Sequence, residues 1–245
     1  MAKAPELASL PIFGASNPPS NAFDFQTGSI LLANKPKGWT SFDVVKYLRG
    51  RVKCKKVGHA GTLDPMATGL LILCTGKATK TINQIQDQSK TYRAEITFGG
   101  RTASYDAESD IEESAPYDHI TVDTIRDSIM SEFSGEIMQV PPMFSALKRD
   151  GKKLYELARR GKEIKLEARP VTIHSITIHS YDAPTLNIEI TCSKGTYIRS
   201  IANDLGKALD SFAYLSALER TMIGNYSIID ALTPHEYNEI LNSDG

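Results

Sequence analysis

The chain has 245 residues, 41% of them hydrophobic and 23% charged, and a net charge of −1. Those proportions exclude a disordered, fibrous or coiled-coil protein, and the length fits one large domain or two small ones. No apolar run approaches the roughly 18 residues of a membrane span, the opening residues lack the apolar core of a secretory signal, and Cys54, Cys74 and Cys192 form neither a disulfide framework nor a zinc-ligand pair, so a reducing cytoplasm is expected.

Residues 1–28 hold four of the twelve prolines and no periodic pattern, and they read as an extended or loosely docked arm. Ser29–Asn34 (SILLAN) is a short buried-type strand, ended by the turn-rich KPKGW. Thr40 with Asp43 three residues on resembles a capping box, so a helix is expected over about 41–51, with Phe42, Val45 and Leu48 on its apolar face. Leu70–Thr75 reads as a buried strand, and KATKTINQI after Gly76 as helical. Tyr92, Ala94, Ile96 and Phe98 alternate with polar residues, as on a half-buried strand. The acidic stretch 104–117 reads as a surface loop. Val122, Ile125, Ile129 and Phe133 have helical spacing, and Pro141-Pro142 interrupts regular structure after them. Leu154, Leu157 and Ala158 suggest a short basic helix. Val171–Tyr181 is strand-like, with a change of phase between Ile173 and Ile176 that marks a bulge. Leu186, Ile188, Ile190 and Cys192 alternate again, SKG turns the chain, and a helix is expected over 197–209. Strands and helices do not alternate in the βαβ rhythm of a doubly wound sheet, so the class is α+β with a mixed, mostly antiparallel sheet flanked by helices.

Charge is unevenly spread. Residues 44–80 carry eight Lys/Arg against one acid, Asp64; residues 104–136 carry ten acids against one Arg; residues 146–170 carry nine Lys/Arg against four acids. Two basic blocks in a near-neutral chain are either solvated faces that never converge or a one-sided surface for phosphates. Phosphate-loop, nucleophile-elbow, HExxH and CxxC patterns are all absent, and the five histidines form no cluster with carboxylates, so no metal site is expected.

What remains is HAGTLDPMATG, residues 59–69. Asp64-Pro65 there is either a turn or helix start, or a lone carboxylate that a positive surrounding keeps ionised and able to act as nucleophile or base. Tyr92 and Tyr197 are either packing residues or platforms for a base, and Arg199 can pair with a carboxylate. Lys35 and Lys80 are either solvated charges or phosphate contacts.

These motifs stand in the order LLANKPKGWTSFDVV, KKVGHAGTLDPMATGLLILCTGKATK, KTYRAEITFG and CSKGTYIRSIANDLG. Together they strongly resemble the bacterial TruB-type tRNA pseudouridine synthases, over roughly 29–225. The resemblance implies the pseudouridine synthase fold and isomerisation of uridine to pseudouridine at position 55 in the tRNA T-loop. It matches Asp64 to the catalytic aspartate and His59 to a histidine that helps hold the T-loop open. Tyr92 matches the tyrosine that stacks on the target base. Tyr197 matches a substrate-contacting tyrosine, and Arg199 the arginine that pairs with the catalytic aspartate. Leu218 matches a pocket leucine by spacing alone. It implies an arm over 1–28, a catalytic domain over 29–232 and a short tail over 233–245, with no room for the PUA RNA-binding domain of longer members.

The implied reaction breaks N1–C1′, turns the uracil and rejoins it through C5, so neither cofactor nor metal is expected. The expected partner is the tRNA T-stem-loop, met by a cytoplasmic monomer with no membrane and no obligate protein partner. Flipping the target base out costs a few kcal/mol, of which stacking on Tyr92 returns about 1–3 kcal/mol. Two rivals are an RNA-binding module without catalysis and a hydrolytic RNA N-glycosidase, which would release free uracil.

Overall fold

The computed structural model describes residues 4–145, 148–149, 152–154, 164 and 166–243. In chain order the strands and helices are β1 (Ile12–Phe13), β2 (Ile30–Lys35), α1 (Ser41–Arg51), β3 (Val57–His59), β4 (Thr68–Thr75), α2 (Ile82–Gln86), β5 (Lys90–Phe98), β6 (Gly100–Thr102), β7 (Ile111–Ser114), α3 (Val122–Glu132), β8 (Gly135–Gln139), β9 (Lys148–Arg149), β10 (Lys152–Lys153), β11 (Arg169–Asp182), β12 (Thr185–Cys192), α4 (Ile198–Ala208), β13 (Ala213–Ile223), β14 (Tyr226–Ser227) and α5 (Pro234–Ser243). The mixed sheet flanked by helices is the α+β class expected from the sequence. The basic helix read from Leu154, Leu157 and Ala158 lies, apart from Leu154, outside the described residues.

The chain forms two compact units, one of residues 1–92 with 219–245 and the other of residues 93–218. In the first unit β2 pairs antiparallel with β4, β1 runs parallel to β2, β3 is antiparallel to β4, and the end of β13 is parallel to β4, opposing Glu219 to Thr68 and Arg220 to Gly69. Both β2 and β4 are buried on both faces, which explains the apolar runs Ile30–Ala33 and Leu70–Cys74 within them. Leu31, Ala33, Leu71 and Leu73 pack on one side with Val44, Val45 and Leu48 of α1 and Tyr237 and Leu241 of α5. Ile30, Leu32, Leu70, Ile72 and Cys74 pack on the other with Ala78 and Ile85.

Helix α1 begins at the expected capping box: Asp43 N donates to Thr40 Oγ1 at 3.1 Å and Thr40 N donates to the Asp43 carboxylate at 2.9 Å. Its buried face differs from the expectation. Ser41, Val44, Val45 and Leu48 point inward, while Phe42 is 60% exposed. The i, i+3, i+4, i+7 stripe starts one residue earlier, because Ser41 turns in to bond a neighbouring loop.

The amino-terminal arm is docked. Its β1 pairs with β2, and Phe13 and Phe25 enter the core with Phe23 against both rings. Tyr237 Oη donates to Phe13 O at 2.8 Å, so α5 also holds the arm.

In the second unit β5, β12, β11 and β8 are successive neighbours, β11 being antiparallel to both β12 and β8. The alternation expected in β5 and β12 is present, with Ala94, Ile96, Phe98, Leu186, Ile188, Ile190 and Cys192 all buried. The expected bulge in β11 appears as a register shift between Ile173 and Ser175. The stretch 104–117 is not wholly a surface loop: β7 pairs with β6, and Asp106 is completely buried. Of the longer elements, β13 and α5 had no sequence signal strong enough to read, and the short strands β1, β3, β6 to β10 and β14 had none either.

Candidate active site

In the first unit, the segment from Gly61 to Gly69 leads from β3 into the start of β4 and carries Asp64. Both bounding glycines have left-handed backbone, φ +104° and +102°, which only glycine adopts without strain. The loop is not a helix start; Ala67 N donates to Asp64 O at 3.1 Å, closing a turn. Asp64 itself is half-buried.

The backbone around Asp64 is pinned from three elements. From β13, the Arg220 guanidinium donates to Gly61 O at 3.1 Å, Thr62 O at 3.4 Å and Leu70 O at 2.8 Å. From the first turn of α1, Ser41 Oγ accepts from Leu63 N at 2.8 Å and donates to Leu63 O at 3.2 Å. From the end of β2, Lys35 Nζ donates to Pro65 O at 3.3 Å, to Pro36 O at 3.0 Å and to Trp39 O at 2.6 Å, while Gly38 N donates to Pro65 O at 2.8 Å. A carboxylate at the apex of so constrained a loop pays little entropy to be aimed.

Of the other residues selected from the sequence, Lys35 is fully buried beneath this loop and Lys80 is exposed on the 3-10 turn Gly76–Thr81. His59 ends β3, at the head of the loop; its Nδ1 is buried with no hydrogen-bond partner among the described residues. Burial pushes the imidazole below its ordinary value, a hydrogen bond with the Gly61 backbone opposes the shift, and the Arg220 charge adds to it. Tyr92 is buried on β5 and is the last residue of this unit before the chain leaves it.

Tyr197, Arg199 and Leu218 belong to the second unit. Tyr197 is the residue before α4, and no side chain caps that helix. The buried Gln139 holds it instead: Tyr197 N donates to Gln139 Oε1 at 2.8 Å, and Gln139 Nε2 donates to Tyr197 O at 3.1 Å. The guanidinium carbons of Arg169 and Arg199 lie 5.1 Å and 6.0 Å from its ring centre, within cation–π range. Arg199 is buried and donates to Ser104 O at 3.1 Å and Phe144 O at 3.0 Å. It also lies 3.4 Å from Asp106 Oδ2, in a pair whose side chains are 5% and 0% exposed. Leu218 is half-buried in the middle of β13.

Sequence reasoning missed Asp106, Gln139, Ser41 and Arg220. Asp106 is one acid among ten in its stretch, and nothing local distinguishes the buried one. Arg220 carried only a weak signal, a charge two residues before Met222-Ile223. Among the described residues no group of three or more His, Cys, Asp or Glu could hold a metal ion, and no helix is long and apolar enough to cross a membrane.

Residues 49–198 match the profile of the TruB family pseudouridylate synthase (N terminal domain), a span that contains the Asp64 loop, Tyr92 and Tyr197. The chain is 45% identical over 227 residues to the tRNA pseudouridine synthase B of Parabacteroides distasonis, covering 90% of this chain and 96% of that one. It is 46% identical to the protein of the same name from Bacteroides thetaiotaomicron, covering 88% and 94%. Among solved structures, a Cbf5-Nop10-Gar1 complex contains a chain with a TM-score of 0.66 at 27% identity; the match covers 91% of this chain and 56% of that longer one. A family match over most of the chain, and relatives of nearly equal length at this identity, agree with the loop that the structure pins around Asp64: the chain belongs to the TruB family of pseudouridylate synthases.

Proposed function

We propose that this protein converts uridine 55 in the T-loop of tRNA to pseudouridine, with Asp64 as the catalytic carboxylate. The observation that carries the reading is the half-buried Asp64 on a loop fixed by Arg220, Ser41, Lys35 and Gly38. The names of the relatives support the substrate. In this reading the target nucleotide is everted and Tyr92 stacks on its base. Ionised Asp64 faces the nucleoside while N1–C1′ breaks; the uracil turns, C5–C1′ forms, C5 gives up its proton to solvent and N1 takes one up, so the product is an isomer of the substrate. His59, Tyr197, Arg199 and Leu218 contact the RNA, Lys80 meets a phosphate, and Lys35 serves the substrate through the loop it pins. The reaction is redox-neutral and gains or loses no heavy atom, so it calls for no cofactor. The protein works in the cytoplasm as a monomer on free tRNA; sedimentation at assay concentration checks the monomer.

The deciding experiment is tritium release from C5-labelled uridine in a T-stem-loop transcript. The native protein is expected to release tritium, and Asp64→Asn to bind the transcript without releasing it. Free uracil among the products would instead make the protein a hydrolytic glycosidase. Binding with no release from the native protein would make it an RNA-binding module.

A further inference from the structure

We propose that Arg220 is a positioning residue for the reaction, setting the Asp64 carboxylate by tying together the two limbs of its loop; the inference rests on the reading of Asp64 as the catalytic group.

Arg220 is 1% exposed and is among the largest fully buried side chains of the described residues. Burying a guanidinium is unfavourable unless its donors are matched. Here the matching groups, among the described residues, are backbone carbonyls: Nε reaches Leu70 O at 2.8 Å, Nη2 reaches Gly61 O at 3.1 Å and Nη1 reaches Thr62 O at 3.4 Å. Gly61 and Thr62 lie three and two residues before Asp64, on the incoming limb. Leu70 lies on the outgoing limb, where β4 has begun. One planar group therefore spans the mouth of the loop. Ser41 holds only the incoming side at Leu63, and Lys35 only the turn at Pro65.

The backbone of Arg220 is seated on the same loop. Arg220 opposes Gly69 in the parallel pairing of β13 with β4, and a Cβ at Gly69 would run into the Arg220 main chain. The approach is close enough to require glycine there, and it delivers the side chain into the loop's interior. The rigid guanidinium fork aims separate donors at the two limbs, Nε at Leu70 O and Nη1 and Nη2 at Thr62 O and Gly61 O, whereas a lysine ammonium is a single point with the same charge. The guanidinium also places a fixed positive charge near His59.

The test compares Arg220→Lys and Arg220→Met with the native protein and Asp64→Asn. Single-turnover tritium release, tRNA affinity and thermal unfolding are measured on each. A loop loosened by about an ångström loses on the order of 100-fold in rate. Arg220→Met is expected to fall by roughly that factor, Arg220→Lys by about 10-fold as a partial rescue, and both to keep tRNA affinity within about threefold. If Arg220→Met does not fold, Arg220→Lys decides alone. Release by Arg220→Lys at the native rate overturns the proposal, as does a loss of affinity equal to the loss of rate. Failure of both variants to fold also overturns it, since the arginine would then hold the fold rather than aim the carboxylate. Tritium release by Asp64→Asn at the native rate is a different result: it removes the underlying reading of Asp64.

Discussion

His59 illustrates how a single side chain acquires properties that its sequence neighbours do not supply. Its ring is largely buried at the end of β3, and the buried Arg220 charge is close enough to oppose protonation. Both effects favour the neutral imidazole, and the folded-state pKa lies below the ordinary value of 6.5. In the unfolded chain the same histidine takes up a proton near that value. As pH falls through it, the unfolded state binds a proton that the native state does not, so stability is lost on acidification and recovered as pH rises. The melting temperature of the native protein is therefore expected to drop between pH 7 and pH 5.5 more than that of His59→Gln; parallel curves for the two proteins would remove the assignment. Asp106 and Arg199 make the opposite case, two charges buried together. Removing one partner is costly because the other charge would stay buried without its counter-charge.

At the scale of elements, α1 shows how local chemistry fixes a boundary while the fold fixes an orientation. The reciprocal hydrogen bonds between Thr40 and Asp43 satisfy two amide donors that the helix cannot. Thr40→Ala is expected to destabilise the protein by about 1 kcal/mol, read as a lower urea midpoint with unchanged slope, and to leave tRNA affinity unchanged. The capping signal is local, and it was legible. Which residues of the first turn face inward was not, since Ser41 is drawn in by Leu63, 22 positions away. The apolar strands β2 and β4 were legible as buried runs because both faces are covered. Strand β13 was not, because Ser216, Glu219 and Arg220 interrupt its alternation; Ser216 is bonded by Glu95 and Arg220 by the Asp64 loop, partners distant in sequence.

For the molecule as a whole, the charge blocks are the feature that bears on a polyanionic partner. Helix α1 exposes Lys46 and Arg49, the start of the basic block that contains Asp64. If these side chains meet tRNA phosphates, the double variant Lys46→Ala/Arg49→Ala should bind tRNA more weakly. The slope of log affinity against log salt should then become shallower by about 1.4–1.8, at roughly 0.7–0.9 per phosphate lost. An unchanged slope would make them ordinary solvated charges. The described chain crosses between its two units within β5 and again within β13, so Tyr92 and Leu218 each stand at a crossing.

The sequence alone determined the class of the fold, most of the longer regular elements and, through a motif of eleven residues around Asp64, the family. These are properties written in short stretches: alternation, caps, glycines where the backbone must turn left-handed. The tertiary structure alone decided what surrounds that motif. Lys35 reads equally well as a surface charge, and only the fold turns its ammonium onto three carbonyls. Asp106 is indistinguishable from nine other acids until Arg199, 93 positions later, lies beside it. Arg220 meets its carbonyls across some 150 residues of chain. A local pattern records which face a residue presents; the partner it finds on that face depends on how distant segments pack, and no periodicity encodes that.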